Sequence, residues 1–200
     1  MIATVPRGNM GSHSTRRASG PDSCLVRAMP LADMVPRIAG GHEFACEPSL
    51  KCFTPSDLAR IKSLLERSFG KMLVEGYLDS DDFRGVIVEK GPSGPKGVAL
   101  VREIPGIPYS YLCKFATDPE CRRNGVAGGL WTVLTSEYKP LVWRVAQGNT
   151  CANEWYVKRG AQGPVQVGKW NVYWLDVRDT EAANLAPVVA GIPETFVAAK

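Results

Sequence analysis

The stretch Tyr111–Leu130, YLCKFATDPECRRNGVAGGL, decides the fold of this 200-residue chain. A β-rich run from Tyr111 to Ala116 leads through Asp118-Pro119 to a glycine-rich turn, and the apolar pattern of a helix follows from Leu130. This order predicts a strand, a turn and a helix start. Glycines let several main-chain N–H groups face one point, and a helix N-terminus adds partial positive charge. We therefore expect a phosphate or pyrophosphate ligand at the turn.

Three phosphate-binding patterns can be compared with this turn. A P-loop needs Gly-Lys-Ser/Thr at the helix start, but here the turn runs directly into Leu130. A dinucleotide fingerprint needs Gly-x-Gly-x-x-Gly and an acid on the next strand, but Gly125 and Gly128 have the wrong spacing and the next strand carries Arg144. The third pattern, Arg/Gln-x-x-Gly-x-Gly/Ala, is met by Arg122 to Ala127. It resembles the acyl-CoA pyrophosphate loop of the GNAT superfamily of N-acetyltransferases.

A second pattern lies further along the chain. Residues 149–161, NTCANEWYVKRGA, are similar to the later GNAT pattern Asn-x-x-Ala-x-x-aromatic-Tyr-x-Lys-x-Gly. In that family the helix with this motif lies beside the coenzyme, and its tyrosine points at the thioester sulfur. Two independent patterns in the required order coincide by chance far less often than one. The resemblance implies that Tyr156 is the catalytic acid that protonates the departing sulfur.

Composition limits the class of protein and its partners. An apolar content of 44% with five Trp is ample for one core. The net charge of +4 is spread along the chain, so we predict no nucleic-acid partner and expect anionic small molecules instead. No apolar run approaches the ~20 residues of a membrane span, so no membrane association is predicted. The six Cys lack the paired spacing of zinc sites, so we expect free thiols and no metal.

The N-terminal part reads differently from the rest. Residues 1–49 are rich in Gly, Pro, Ser and Arg without sustained periodicity, so we expect a disordered or weakly ordered extension before a folded domain over 50–200. Three arginines precede the first acid, Asp22, which gives a weak likeness to an organelle transit peptide. A cytoplasmic and a mitochondrial-matrix location both stay open.

The remaining elements can be predicted from local patterns. Thr54-Pro55-Ser56-Asp57 predicts a helix start, and a second short helical piece is expected over Lys71–Leu78. Strands are predicted at 86–88, 98–101, 110–117, 141–145 and 170–175, the first two as an antiparallel hairpin, with further helices up to about residue 138, over 149–158 and over 180–190. This order predicts an α/β protein of the GNAT acyl-CoA N-acyltransferase fold, with a mixed, mostly antiparallel sheet flanked by helices.

A closer resemblance extends over residues 50–197, which are similar to the acetyltransferase domain of the vertebrate-like N-acetylglutamate synthase family. The matching segments include SFGK at 68–71, YLCKF at 111–115, VWR at 142–144, WYVK at 155–158 and WNVYW at 170–174. In those enzymes the domain usually follows an amino-acid-kinase domain. The resemblance implies transfer of acetyl from acetyl-CoA to the α-amine of L-glutamate, an early step of arginine or ornithine biosynthesis. It also implies a homo-oligomer or an amino-acid-kinase partner.

The resemblance assigns roles residue by residue. It implies that the substrate amino acid is held by Lys114, Arg144, Asn149 and Asn153. Acetyl-CoA would contact the strand at Phe115, Ala116 and Thr117 as an added strand, and would lay its pyrophosphate on Arg122, Arg123, Asn124, Gly125, Val126, Ala127 and Gly128.

One departure from the family concerns the substrate. The family often shows Trp-Arg-Ser-Arg where this chain has Trp143-Arg144-Val145-Ala146, so one basic residue is missing beside the expected site. A dicarboxylate is best held by paired charge-assisted contacts, so this change weakens the assignment of glutamate. Two alternatives stay open: a GNAT enzyme that acts on a different amine, and a non-catalytic acetyl-CoA-binding partner or regulatory module.

Overall fold

The computed structural model describes residues 28–121 and 123–198. The helices are α1 (Pro55–Phe69), α2 (Val126–Glu137), α3 (Thr150–Lys158) and α4 (Asp179–Gly191). The strands are β1 (Arg37–Ala39), β2 (His42–Glu47), β3 (Met72–Leu73), β4 (Phe83–Glu89), β5 (Gly97–Ile104), β6 (Ile107–Thr117), β7 (Leu141–Ala146), β8 (Gln162–Val167), β9 (Trp170–Leu175) and β10 (Phe196–Val197). No helix in the described ranges is long and apolar enough to cross a bilayer.

One mixed sheet organises the structure. Its strand order is β1-β2-β4-β5-β6-β7-β9-β8, and every neighbouring pair is antiparallel except β6 and β7. A separate two-stranded sheet joins β3 to β10. The sheet carries helices on both faces, so the predicted α/β class with a mostly antiparallel sheet is confirmed.

The alternation of side chains along β5 shows how the two faces are built. Val98 and Leu100 pack into the core beneath α1, whereas Ala99 and Val101 pack into the core beneath α2 and α3. Because successive strand residues point to opposite faces, one buried strand supplies both cores. Helix α4 covers β7 to β9 on the α1 side. We call these the α1/α4 face and the α2/α3 face.

Helix α1 begins and ends where local chemistry predicts. The Thr54 side chain accepts a hydrogen bond from the Asp57 amide, and Gly70 at the other end adopts a left-handed conformation with φ of 61°. The predicted helical piece over 71–78 is wrong. Residues 72–73 form β3, and only a short 3₁₀ turn follows at Tyr77–Asp79, after Gly76 with φ of 71°. The two left-handed glycines prevent a continuous helix.

The N-terminal boundary also needs correction. We predicted a weakly ordered extension over 1–49, but within the described residues 28–49 the strand β2 pairs with β4 from Phe44↔Glu89 to Glu47↔Val86. Phe44 and Ala45 are fully buried. The hairpin was missed because its strands have three and six residues, too few for a clear alternation among Gly and Pro. Residues 1–27 lie outside the described part of the chain.

Strands β6 and β7 pair only briefly. Two residue pairs, Ser110↔Leu141 and Tyr111↔Val142, join them, although β6 has eleven residues and β7 has six. Beyond Tyr111 the two strands part, which leaves the β7-facing edge of β6 from Leu112 to Thr117 without a strand partner. The gap between β6 and β7, which we call the slot, runs through the sheet from one face to the other.

Candidate active site

A bulge in β6 turns Lys114 towards the α1/α4 face. Opposite β5 the register shifts between Leu100↔Lys114 and Val101↔Leu112, so Cys113 is an extra residue. A bulge of this kind re-aims the side chains that follow it. Without it, Lys114 would share the α2/α3 face with Leu112. With it, the ammonium group donates to the Thr195 hydroxyl at 2.6 Å and to the Cys113 carbonyl at 3.1 Å.

The environment of Lys114 is unusual for a lysine. The residue is only 6% exposed, and its ammonium lies 4.6 Å from the centre of the Tyr77 ring and 5.0 Å from that of Phe196. Burial, helped by the positive charges of Arg102 and Arg144, lowers the pKa of Lys114 to about 8. No carboxylate of the described residues contacts this ammonium group, so none of them neutralises its charge.

Arg144 on β7 faces the same side. Its guanidinium donates to the carbonyls of Val189 at 3.2 Å and Ala190 at 2.6 Å, and to that of Pro193 at 3.2 Å. It also lies 4.2 Å from the centre of the Trp170 ring. Arg144 therefore satisfies the carbonyls that end α4, where positive charge is favourable. Among the described residues, the hydrogen-bond partners of this arginine are main-chain oxygens rather than a carboxylate.

A cavity of about 290 Å³ connects these groups through the slot. This volume is near the small end for ligand sites, which span roughly 300–1,000 Å³. Its charged lining consists of Lys71, Arg102, Lys114, Arg144 and Glu194. Arg102 is paired with Asp82, whereas Glu194 is paired with Lys169. The cavity is therefore basic, with one carboxylate at its edge. Phe115, Asn149 and Tyr156 line it as well.

Tyr156 reaches the cavity from the opposite face. It lies on α3 within an aromatic cluster formed by Phe115, Trp131, Trp143, Trp155 and Tyr173, whose ring centres are 5.1–6.2 Å from its own. The residue is 6% exposed, and burial alone raises its pKa above the ordinary value. The phenol is therefore held in its neutral, proton-bearing form at neutral pH. Within the described residues, no hydrogen bond engages its hydroxyl.

The glycine-rich turn forms the predicted junction between β6 and α2. Gly125 has φ of 86° and precedes the first residue of α2, so the chain turns there in a conformation that side chains rarely adopt. Val126, Ala127 and Gly128 occupy the first turn, where main-chain N–H groups have no acceptor within the helix. Ala116 and Thr117 continue β6 towards the turn. The geometry suits a phosphate group, and the open edge of β6 suits an extended amide-bearing chain.

Basic groups surround this turn. Arg123 and Asn124 are exposed, and Arg123 has φ of 74°. Arg122 lies outside the described residues. An arginine that the sequence analysis missed, Arg159, places its guanidinium 3.0 Å from where a Cβ on Gly128 would be, and 5.1 Å from the centre of the Trp155 ring. Its only sequence signal is its position just after the Tyr-x-Lys of the second motif.

The two asparagines assigned to the substrate have different surroundings. Asn149 lines the cavity, although its side-chain oxygen caps α3 by accepting from the Ala152 amide at 3.2 Å. Asn153 does not line it. Its amide nitrogen donates to the carbonyls of Ala146 and Asn149, and its oxygen accepts from Asn171 and Tyr173. Asn153 fixes α3 to the sheet, and the structure separates it from the predicted substrate site.

The end of the described chain supplies lining residues that no motif indicated. Glu194 and Thr195 precede β10, and the same segment places Phe196 against Phe69 with ring centres 4.5 Å apart. Tyr77 reaches the cavity from the 3₁₀ turn, where its hydroxyl donates to the Cys113 thiol at 3.2 Å. These residues are distant from both motifs in the sequence and meet them only after folding.

Comparisons with known proteins agree with this architecture. Residues 45–190 match the family model described as NAT, N-acetyltransferase, of N-acetylglutamate synthase. A mitochondrial N-acetylglutamate synthase of Mus musculus is 30% identical over 146 residues, which cover 70% of this chain and 26% of that protein. A protein of Xanthomonas campestris named acetylglutamate kinase is 28% identical over 136 residues, covering 62% of this chain and 29% of its own length. The chain thus spans less than a third of these relatives.

A solved structure shows the fold. The PaiA N-acetyltransferase of Thermoplasma acidophilum, in complex with coenzyme A, superposes with a TM-score of 0.50 at 14% identity, over 66% of this chain and 97% of that one. At this identity the likeness concerns the fold, which is that of the GNAT acetyltransferases. Because the family model matches well over half of the residues, the chain belongs to the NAT family, the N-acetyltransferase domains of N-acetylglutamate synthase.

Proposed function

We propose that the chain transfers the acetyl group of acetyl-CoA to the α-amine of L-glutamate. The observation that carries the proposal is the slot between β6 and β7. Lys114 and Arg144 lie on its α1/α4 face and Tyr156 on its α2/α3 face, and all three line one cavity. An amino acid held by its carboxylates on one side could present its amine to a thioester on the other.

The acetyl donor would occupy the α2/α3 side. The N–H groups of Gly125 to Gly128 would bind the pyrophosphate, and Arg123 and Arg159 are placed to add charge at its rim. The free edge of β6 beyond Tyr111 would pair with the pantetheine amides as an added strand. The PaiA N-acetyltransferase, which was solved in complex with coenzyme A, has the same fold, and this supports acetyl-CoA as the donor.

The amine substrate would occupy the basic side. Lys114 is a donor without a carboxylate partner in the described chain, and it fits a carboxylate of the substrate. The Nη1 of Arg144 already donates to carbonyls of α4. To bind the substrate, the guanidinium would have to donate to it as well or give up these carbonyls. This occupied arginine, together with Ala146, makes glutamate a less complete fit than a site with two free cations.

The chemistry requires one bond to form and one to break. The amine, after giving one proton to water, forms a bond to the thioester carbonyl carbon, and the carbon–sulfur bond then breaks. A main-chain N–H on the open edge of β6 would stabilise the oxyanion between these steps. Tyr156 would donate its proton to the departing sulfur. Burial disfavours the phenolate form of Tyr156. We therefore expect the amine to transfer its second proton to Tyr156 as the phenol gives its own proton to the sulfur.

A panel of amino acids tests the proposal directly. Release of CoA from acetyl-CoA should be fastest with L-glutamate, and slower with glutamine or aspartate because each loses or shifts one carboxylate contact. The assay is thiol release at fixed acetyl-CoA, with product identified by mass spectrometry. Turnover that prefers an uncharged or basic amine would contradict the assignment of glutamate, and binding of acetyl-CoA without turnover of any amine would favour a regulatory module.

The departure at residue 146 gives a second test. Ala146 lines the cavity beside Arg144, so an arginine at this position can reach the substrate side. We expect Ala146→Arg to lower the glutamate KM about ten-fold, since one charge-assisted hydrogen bond contributes roughly 1.5–3 kcal/mol. Ala146→Gln is the control of similar length without charge and should change the KM little. An unchanged KM in the arginine variant would mean that this part of the cavity does not contact carboxylates.

We also propose that an amino-acid-kinase domain is a partner of this domain. The support is the length of the relatives, of which the chain matches less than a third, and the name acetylglutamate kinase carried by one of them. A pull-down between this chain and an amino-acid-kinase domain from the same cell would test the association.

A further inference from the structure

His42, the first residue of β2, lies behind the proposed coenzyme turn. Its Nε2 is 2.8 Å from the carbonyl oxygen of Asn124, and its Nδ1 is 3.4 Å from a carboxylate oxygen of Glu89. A Cβ added to Gly125 would lie 3.5 Å from the same Nε2. The imidazole therefore contacts the backbone of the turn where the chain enters α2.

Both ring nitrogens of His42 face acceptors. A carbonyl can only accept, so Nε2 carries the hydrogen of that bond, and Nδ1 faces the carboxylate of Glu89. Glu89 is itself fixed, because its side chain is 8% exposed and its other oxygen accepts from the Lys96 amide at 3.0 Å. The carboxylate that contacts Nδ1 is therefore held in place on the side of the ring away from the turn.

The hydrogen bond from His42 sets the direction of one peptide group. The link from Asn124 to Gly125 is trans, so its carbonyl and its N–H point in opposite directions. Because His42 holds the carbonyl on the β2 side, the Gly125 N–H points away from β2, towards the open side of the turn. If this peptide rotated, a carbonyl oxygen would face that side and would repel an anion.

We propose that His42 is a positioning residue of the coenzyme turn. It orients the Asn124–Gly125 peptide so that the Gly125 N–H faces the pyrophosphate. The inference rests on the proposed use of acetyl-CoA. His42 lies outside the span 45–190 matched by the family model, so its role comes from the contacts of the hairpin in this structure.

Two variants test the role of His42 as a hydrogen-bond donor. His42→Ala removes the donor, and we expect the dissociation constant for CoA, measured by calorimetry, to rise about ten-fold, the effect of one lost hydrogen bond of this kind. His42→Gln can still donate to the Asn124 carbonyl and should recover part of the affinity. The glutamate KM should not change. With S-acetylpantetheine, which lacks the pyrophosphate, both variants should match the wild type in kcat/KM.

A matched control comes from the same hairpin. Arg37 on β1 pairs with Glu137 at the other end of α2, at 3.3 Å, so Arg37→Ala disturbs the contact of the hairpin with the helix without touching the turn. It should leave CoA affinity unchanged, and thermal unfolding of each variant checks the fold. Wild-type CoA affinity in His42→Ala, or an equal loss with S-acetylpantetheine, would overturn this inference alone. A wild-type protein that does not bind CoA would overturn the proposed function as well.

Discussion

Replacing Tyr156 with phenylalanine is expected to lower kcat about 100-fold, the usual effect of losing a positioned proton donor. The acetyl-CoA KM should change little, because the ring that packs against Phe115 and Trp143 is retained. The loss should shrink with a thioester whose thiol is more acidic, since such a leaving group needs no proton from the enzyme. Steady-state kinetics with both donors measures the effect.

A neighbouring tyrosine provides the control for this variant. Tyr173 stacks in the same aromatic cluster, but its hydroxyl donates to Asn153 and it does not line the cavity. Tyr173→Phe should cost about 1 kcal/mol of stability from one lost hydrogen bond and leave kcat near the wild-type value. If Tyr156→Phe kept the wild-type kcat across the pH range, the role of Tyr156 as the acid would be wrong.

Replacing Lys114 with methionine is expected to change stability and substrate binding in opposite directions. The folded state lowers the pKa of this lysine from 10.5 to about 8, so between these values the unfolded chain binds more protons than the folded one. The free energy of unfolding of the wild type should therefore increase by about 3 kcal/mol as the pH rises from 8 to 10.5. Below pH 8 the buried lysine is charged, and the full cost of burying that charge remains. The methionine variant should lack this gain. Denaturant unfolding of both proteins at several pH values measures the difference.

The same substitution should damage the proposed substrate site. Removing a charge-assisted contact to a carboxylate should raise the glutamate KM by about 10- to 100-fold. Lys90→Met is the control, because this partly buried lysine donates to the Met34 carbonyl outside the cavity. A stability difference that does not depend on pH would show that burial does not disfavour the charge of Lys114. An unchanged glutamate KM would remove Lys114 from the site.

Much of the fold could be predicted because its central elements have strong local signals. β5 and β6 are long β-rich runs, and α1 has a cap, a proline and an apolar stripe in the expected places. The elements that were missed are short or interrupted. The hairpin of β1 and β2 contains two glycines at its turn, and β8 contains Gly163-Pro164. Such segments become strands only because a neighbouring strand supplies hydrogen-bond partners, which no local pattern records.

The parts of the candidate site that lie in sequence motifs could be predicted. The parts that depend on strand register could not. The turn at Gly125 and the position of Tyr156 follow from the two patterns: the structure places Gly125 at the start of α2 and Tyr156 in the lining of the slot between β6 and β7. The direction of Lys114 depends on a bulge at Cys113, and the sequence gives no sign of it. Asn153 was assigned by its place in a motif, but its amide is consumed by the contacts that hold α3. Thr195 reaches Lys114 across 81 positions of sequence.

The brief pairing of β6 with β7 bears on the order in which the chain folds. From β4 to β6 each strand pairs with the next through a short connection, so this part can assemble by closing small loops, which is fast. Joining β7 to β6 requires a parallel crossover through α2 and yields only two residue pairs in return. We therefore expect the part up to β6 to form first, and β7 to β9 to dock on it last. The slot would then be the seam between an early and a late unit of folding.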